Sequence, residues 1–194
     1  MKKILLLLLF TFPFAVFSQE LSADLSQLAA AFKQVQTIQT EFVQETHSDL
    51  FTAPVTSEGF LHFQKQPSYL KWEYTKPFAS GLLVENGKIF RMRNGQFVPV
   101  KNGAAGQIAA QVTVWLQLDL ETLVKQYTIV SSEGKLEFSP RTSSAPVGAI
   151  TLTYEFVQQH PVVTRLEMRE KSGDKTVLRF KNTRVNESFA REEV

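Results

Sequence analysis

Residues Ser57 to Lys88 read SEGFLHFQKQPSYLKWEYTKPFASGLLVENGK. Three runs of period-two alternation stand in this stretch, separated by Pro67, by Thr75-Lys76-Pro77 and by Asn86-Gly87, residues that break or reverse strands. The stretch therefore predicts a meander of antiparallel strands. One face of it is unusually aromatic, with Leu61 and Phe63, then Leu70, Trp72 and Tyr74, then Leu82 and Val84. Such a face is either packed core or the wall of a cavity, and the alternation alone fits both.

Downstream, Asn86-Gly87 and Asn94-Gly95 lie between alternating runs. Asn-Gly favours the type I′ turn, which needs positive φ at both central residues, so the meander continues through Lys88–Arg93 and Gln96–Val100. Upstream, Leu21, Leu25, Leu28, Ala29, Phe32 and Val35 recur at helical spacing, with Ser22 as N-cap and Asp24 in the first turn. From Thr37 the period changes to two, placing Ile38, Thr40, Phe42 and Gln44 on one strand face. Residues His47 to Thr56 read as a loop or wide hairpin.

After Asn102-Gly103, the run Ala104 to Leu118 spaces Ile108, Val112, Trp115 and Leu116 for one helical face. Asp119 caps a second helix over Leu120 to Gln126. Strands follow at Thr128–Ser132, Lys135–Ser139, Ala149–Val157, Val162–Glu170 and Lys175–Val185, parted by turn residues. The polar end, Asn186 to Val194, reads as a frayed tail. The sum is an α+β fold, a single domain with a strongly curved antiparallel sheet of about ten or eleven strands. A sheet that long must curl into an incomplete barrel, and its concave face is then open to helices.

The chain opens Met1-Lys2-Lys3, followed by an apolar run from Ile4 to Phe10 and a looser one to Phe17. A short basic segment and an apolar stretch of that length describe a secretory signal peptide over residues 1–18, with an uncleaved membrane anchor as the alternative. Removing Lys2 and Lys3 from 21 basic residues leaves 19, against 19 acidic. The neutral remainder, residues 19–194, suits one domain and offers no concentrated basic surface for nucleic acid. The chain has no cysteine, which excludes disulfides, thiol chemistry and a lipid-modified N-terminal cysteine. A soluble exported protein is expected. Its 16 phenylalanines are many for its length, and they need a place.

Chemistry-bearing patterns are sparse. His47, His62 and His160 stand apart from one another and from carboxylate clusters, so no metal site is expected. Neither a nucleophile elbow, nor a phosphate-cradling glycine loop, nor a dinucleotide fingerprint occurs, and no cofactor is expected. Glu41 and Glu45 share the polar side of a strand and Glu192-Glu193 lie in the tail, all reading as solvated charges. The expectation is a protein that binds and does not catalyse.

Several features carry a resemblance: the helix leading into Phe42-Val43-Gln44, then Gly59, Pro67, Leu70-Lys71-Trp72-Glu73-Tyr74, Pro77 and Asn86-Gly87. With the element order over nearly the whole chain, they resemble the LolA-type periplasmic lipoprotein carriers of double-membrane bacteria. The resemblance implies a half-barrel with a helical lid whose apolar cavity holds acyl chains. It implies a periplasmic monomer, partners that are acylated lipoproteins or other lipid cargo, an inner-membrane release complex and an outer-membrane acceptor. On that reading the cargo wall is Phe42, Leu61, Phe63, Leu70, Trp72, Tyr74, Leu82, Val84, Phe90, Ile150, Leu152 and Phe156, and it also houses the phenylalanine excess. The lid is Leu28, Phe32, Val35, Ile108, Val112, Trp115 and Leu116.

The family commonly carries an arginine directly before the proline, associated with closing the lid and passing cargo on. Here Lys65, Gln66 and Pro67 form that turn; Gln66 holds the arginine's place, and Lys65 supplies a cation without the forked donors of arginine. The chain also ends soon after Phe189, short of the family's usual C-terminal segment. Three other readings compete with lipoprotein transport: carriage of another amphiphile, a half-barrel module that senses envelope proteins, and an enzyme acting on lipid.

Overall fold

The computed structural model describes residues 23–100, 113–143 and 147–191. The signal segment 1–18, Leu21 and Ser22, the lid candidates Ile108 and Val112, and Glu192-Glu193 lie outside the described residues. Helix α1 (Ala23–Lys33) leads into β1 (Thr37–His47), β2 (Val55–Gln64), β3 (Tyr69–Lys76), β4 (Ser80–Glu85), β5 (Lys88–Arg93) and β6 (Gln96–Pro99). A helical turn at residues 113–116 precedes α2 (Leu120–Gln126), after which come β7 (Tyr127–Ser132), β8 (Lys135–Pro140), β9 (Val147–Val157), β10 (His160–Glu170) and β11 (Lys175–Val185).

The strands form one antiparallel sheet of eleven, ordered β6-β5-β4-β3-β2-β1-β11-β10-β9-β8-β7. Two meanders, one from each half of the chain, are joined where β1 pairs with β11. Strands β6 and β7 remain the two edges, so the sheet curves without closing. The curvature has local causes. Register shifts between Gln39 and Glu41, Glu58 and Gly59, and Val163 and Arg165 are irregularities that bend a strand and increase its twist. At Gly59 a Cβ would sit 1.9 Å from the Glu73 carbonyl oxygen and 2.7 Å from the Phe42 ring. Only glycine lets β2 approach β3 there while an aromatic ring covers the gap.

The Asn-Gly turns form as expected, with φ of 48° and 78° at Asn86-Gly87 and 50° and 77° at Asn94-Gly95. Asp119 caps α2, its carboxylate accepting from Thr122 N at 3.2 Å and from the Thr122 hydroxyl at 2.7 Å. The expected helix through Leu118 is described only from residue 113, and it stops at residue 116. Leu118 takes φ +41°, which lets the chain reverse so that its side chain joins the core.

Both helices lie on the concave face. Leu25, Leu28, Ala29 and Phe32 of α1 pack with Leu118, Leu120 and Leu123 against Ile129, Leu136, Phe138, Ile150 and Leu152. A second cluster, Phe42, Leu61, Phe63, Leu70 and Leu178, lines the other half of the same face.

The tail departs from expectation. Asn186 Oδ1 accepts from Gln36 N at 2.7 Å, Thr37 Oγ1 donates to Glu187 O at 2.7 Å, and Arg191 Nε donates to Gln64 Oε1 at 3.1 Å. The Phe189 ring lies 5.3 Å from His62 and 5.7 Å from Tyr69 on the convex side. Residues 186–191 thus form a strap, anchored by one aromatic side chain that the polar composition hides.

Candidate functional site

The concave face is apolar because alternation delivers one side chain in two to it, and the ladder fixes which ones. Register puts Ile38 opposite Phe63, Thr40 opposite Leu61, Leu61 opposite Trp72 and Trp72 opposite Leu82. Across the β1–β11 junction, Phe42 faces Phe180 and Ile38 faces Val185. Between the two concave clusters lies a cavity of about 140 Å³. Its walls are Phe32 of α1, Trp115 and Leu116 of the helical turn, Ile38, Thr40, Leu61, Trp72 and Leu152, and a broad contribution from β10 and β11: Pro161, Val162, Val163, Leu166, Phe180, Thr183 and Val185. An apolar void therefore runs between the Phe32 helix and the Trp72 strand.

Six residues expected at this site from sequence line the void: Leu61, Trp72 and Leu152 from the wall, Phe32, Trp115 and Leu116 from the lid. Phe42, Phe63, Leu70 and Ile150 are buried in the flanking clusters, and Tyr74 and Val84 pack against one of them. Leu82 is half-buried beside Trp72 on the same face. Leu28 is core beneath α1, and Val35 packs with Val162 and Val185.

Two assignments fail. Phe90 pairs with Leu83, one residue out of phase with the concave Leu82 and Val84, and is buried on the convex side with Tyr69 and Leu83. Phe156 is 58% exposed, at the far end of β9 opposite Pro161, with its ring edge-on to Tyr154 and outside the cavity wall. The phenylalanine excess is also not explained by the cavity. Among the described residues Phe32 and Phe180 line it, while Phe90, Phe97 and Phe189 build the convex cluster. Phe10, Phe12, Phe14 and Phe17 fall within residues 1–18.

The walls from β10 and β11 were missed. Pro161, Val162 and Val163 all reach the cavity in succession, which no alternation predicts; the register shift after Val163 disturbs the pleat there. Ile38, Thr40 and Phe180 were legible, since they share a strand face with Phe42 or, in the last case, alternate with Leu178.

Polar groups at the site are few and mostly turned to one another. Thr40 Oγ1 lies 2.7 Å from Thr183 Oγ1 and donates to Lys181 O at 3.0 Å. Tyr74 Oη donates to Gln44 Oε1 at 2.8 Å, and burial pushes the phenol pKa up. Trp72 Nε1 itself is buried without a hydrogen-bond partner. Among the described residues, no group of histidines, cysteines and carboxylates could hold a metal ion.

The turn of Lys65, Gln66 and Pro67 touches the C-terminal end of α1. Lys65 N donates to Gln36 O at 2.8 Å, and Lys65 Nζ donates to Lys33 O, the C-terminal carbonyl of α1, at 3.2 Å. That carbonyl also accepts from Gln36 Nε2 at 3.4 Å, and a cation there complements the helix dipole. Gln66 instead turns its carbonyl to Gln64 Nε2 at 2.8 Å. Lys33 Nζ meets Glu121 at 3.0 Å, linking α1 to α2 through an exposed pair of little energetic weight.

The sequence pattern of the family described as "Outer membrane lipoprotein carrier protein LolA" matches residues 33–193. Solved structures share the architecture at low identity. The lipoprotein LppX of Mycobacterium tuberculosis superposes with TM-score 0.51 and 14% identity, over 87% of this chain and 96% of that one. A DUF1329 family protein of Desulfovibrio piger gives 0.52 and 12%, over 84% and 92%. The MucA/MucB complex of Pseudomonas aeruginosa gives 0.50 and 14%, over 86% of this chain and 57% of that chain. These likenesses show the fold. No curated protein sequence matches the chain.

Proposed function

This chain belongs to the family of outer membrane lipoprotein carrier proteins, LolA, and from that premise we propose that it is a periplasmic carrier, without catalytic activity, which holds lipoprotein acyl chains against its concave face and moves them from the inner to the outer membrane. The observation that carries the proposal is the apolar cavity between α1, the helical turn at 113–116 and the sheet. The physical need is large. At about 0.8 kcal/mol per methylene, three chains of about fifteen carbons disfavour an aqueous crossing by on the order of 36 kcal/mol unless they are shielded.

The cavity's size adds a condition. A void of about 150 Å³ admits a benzene ring, and the 140 Å³ found here is too small for even one long acyl chain. Loading therefore requires α1 and the segment containing Trp115 and Leu116 to swing away from the sheet, exchanging their apolar contacts for contacts between cargo and wall. That exchange also supports release, because closing restores the contacts of Phe32 and Trp115 as the cargo leaves. The Lys65 tether on the α1 C-terminus is placed to bias this equilibrium toward the closed form.

The test is purification from periplasm with the native leader, followed by mass spectrometry of whatever accompanies the protein. Acylated lipoproteins are the expected companions. Recovery of a different amphiphile would replace the cargo, and a chain that carries no lipid under any condition would sink the proposal. A stable complex with a membrane regulator, formed without acyl chains, would favour a sensory module.

A further inference from the structure

The strand ends bring one set of loops together. Thr46 faces Val55, Glu58 faces Lys76 and Tyr74 faces Ser80, so the β1–β2 and β3–β4 loops leave the sheet side by side, at the end opposite Lys65. Both carry apolar side chains into water. In the first, Phe51 N donates to Ser48 O at 3.0 Å and Leu50 N to Ser48 Oγ at 3.3 Å, a turn that presents Leu50 at 87% and Phe51 at 51% exposure. In the second, Phe78 follows Pro77 and is 81% exposed. Single exposed apolar residues are ordinary, but three large ones on adjoining loop tips mark an interaction surface.

The charge at this end identifies the kind of surface they fit. The loops there and the strand ends flanking them, residues 48–54, 75–79, 93–96, 141–143 and 169–175, carry Lys76, Arg93, Arg141, Arg169, Lys171 and Lys175 against Asp49, Glu170 and Asp174. Two of these cations are shared with strand carboxylates, Lys76 with Glu58 and Arg169 with Glu167. With those two carboxylates counted, six cations stand against five anions, a small positive surplus in a chain whose residues beyond 18 balance 19 against 19. Protruding apolar tips within a slightly basic rim match an anionic bilayer surface, where rings enter the headgroup boundary and cations meet lipid phosphates.

We propose that the Leu50-Phe51 and Phe78 loop tips dock this protein, reversibly, on the surface of a bilayer containing anionic lipid. Docking rests on the exposed loop tips and the charge of this end. Its use, holding the half-barrel end-on to a membrane while acyl chains enter or leave, rests on the carrier reading.

The experiment is flotation of the purified protein with vesicles of phosphatidylethanolamine and phosphatidylglycerol, and with vesicles of phosphatidylcholine alone. Flotation with the anionic vesicles, weakened by salt and by neutral lipid, is the expected result. Phe78→Ser and the pair Leu50→Ser with Phe51→Ser should each lower partitioning about tenfold, with unchanged melting temperature and cargo retention. Lys171→Glu with Lys175→Glu should weaken binding to anionic vesicles alone. No flotation with either vesicle, or flotation indifferent to the tip substitutions, overturns the proposal. Tip substitutions that spare flotation but abolish crosslinking to a membrane protein in spheroplasts overturn it in favour of a protein partner. If Trp72→Asp and the parent protein both float but neither carries lipid, the carrier reading falls and the docking surface stands.

Discussion

Trp72 is the residue at which structure and proposed function meet most closely. It lines the cavity, its ring centroid is 5.0 Å from that of Phe42, and its indole N–H is buried without a partner. Trp72→Asp puts an unpaired carboxylate against acyl chains, where an isolated charge is strongly disfavoured. Lipid recovered with the protein should fall to background, while Trp72→Phe keeps the apolar wall and should retain it. Normal lipid recovery with a folded Trp72→Asp protein would remove Trp72 from the site. Gly59→Ala tests packing instead. With the Glu73 carbonyl oxygen 1.9 Å from the new Cβ, β2 must move off β3, and a loss of at least about 2–3 kcal/mol is expected in denaturant titration. On the convex side, Glu167 lies 2.6 Å from Arg165 and 2.7 Å from Arg169. The hydrogen bond from Arg165, reinforced by Arg169, holds its carboxyl below the usual carboxylate range. A depressed carboxylate stabilises the fold above its unfolded pKa and loses that contribution as pH falls through the folded value. Glu167→Gln should therefore lower stability by about 1 kcal/mol near neutrality, and the difference from the parent should vanish in acid melts.

At the level of elements, α1, the proposed lid, is held by few polar links. Beyond its packed apolar face, α1 is tied at its C-terminus by Lys65 and at Lys33 by Glu121. Lys65→Ala removes a cation from a helix C-terminus, an interaction of about 0.5–1 kcal/mol. Hydrogen exchange should speed up through Leu28 to Gln36 and leave β1 unchanged, and lipid should transfer to acceptor vesicles a few-fold differently from the parent. Lys65→Arg, with more donors in a fixed fork, should restore or exceed the parent's protection. Equal exchange in all three proteins would mean that the Lys65 contact does not govern the lid. The C-terminal strap is a comparable device on the other face, with Asn186 holding the backbone before β1 and Phe189 covering His62 and Tyr69.

For the whole molecule, the cavity lies between helices and sheet, so on the carrier reading loading and helix movement are one event. The chain has two tryptophans, so in a Trp72→Phe background Trp115 is the single indole reporter. Its ring packs 4.8 Å from Phe138 and 5.6 Å from Tyr127. Loading should draw it out of that nest and change its emission; an unchanged spectrum in lipid-loaded protein would mean that the cavity fills without the lid moving. The strand periods, the two Asn-Gly turns, the Asp119 cap and the aromatic face of the first meander were all legible in sequence, because each depends on residues within a few positions of one another. Side-chain phase was legible too, until a shift in register reset it, as at Val163, or until a turn had to be crossed, as at Phe90, where pairing sets Ile89 and not Phe90 opposite the concave Val84. Sequence by itself determined an alternating, strongly curling sheet with amphipathic helices to cover it. Tertiary structure alone decided that β1 closes on β11 and that β10 and β11 supply much of the cavity wall. Those facts depend on residues some 120 to 150 positions apart being brought into contact, and no local pattern records the distance between them.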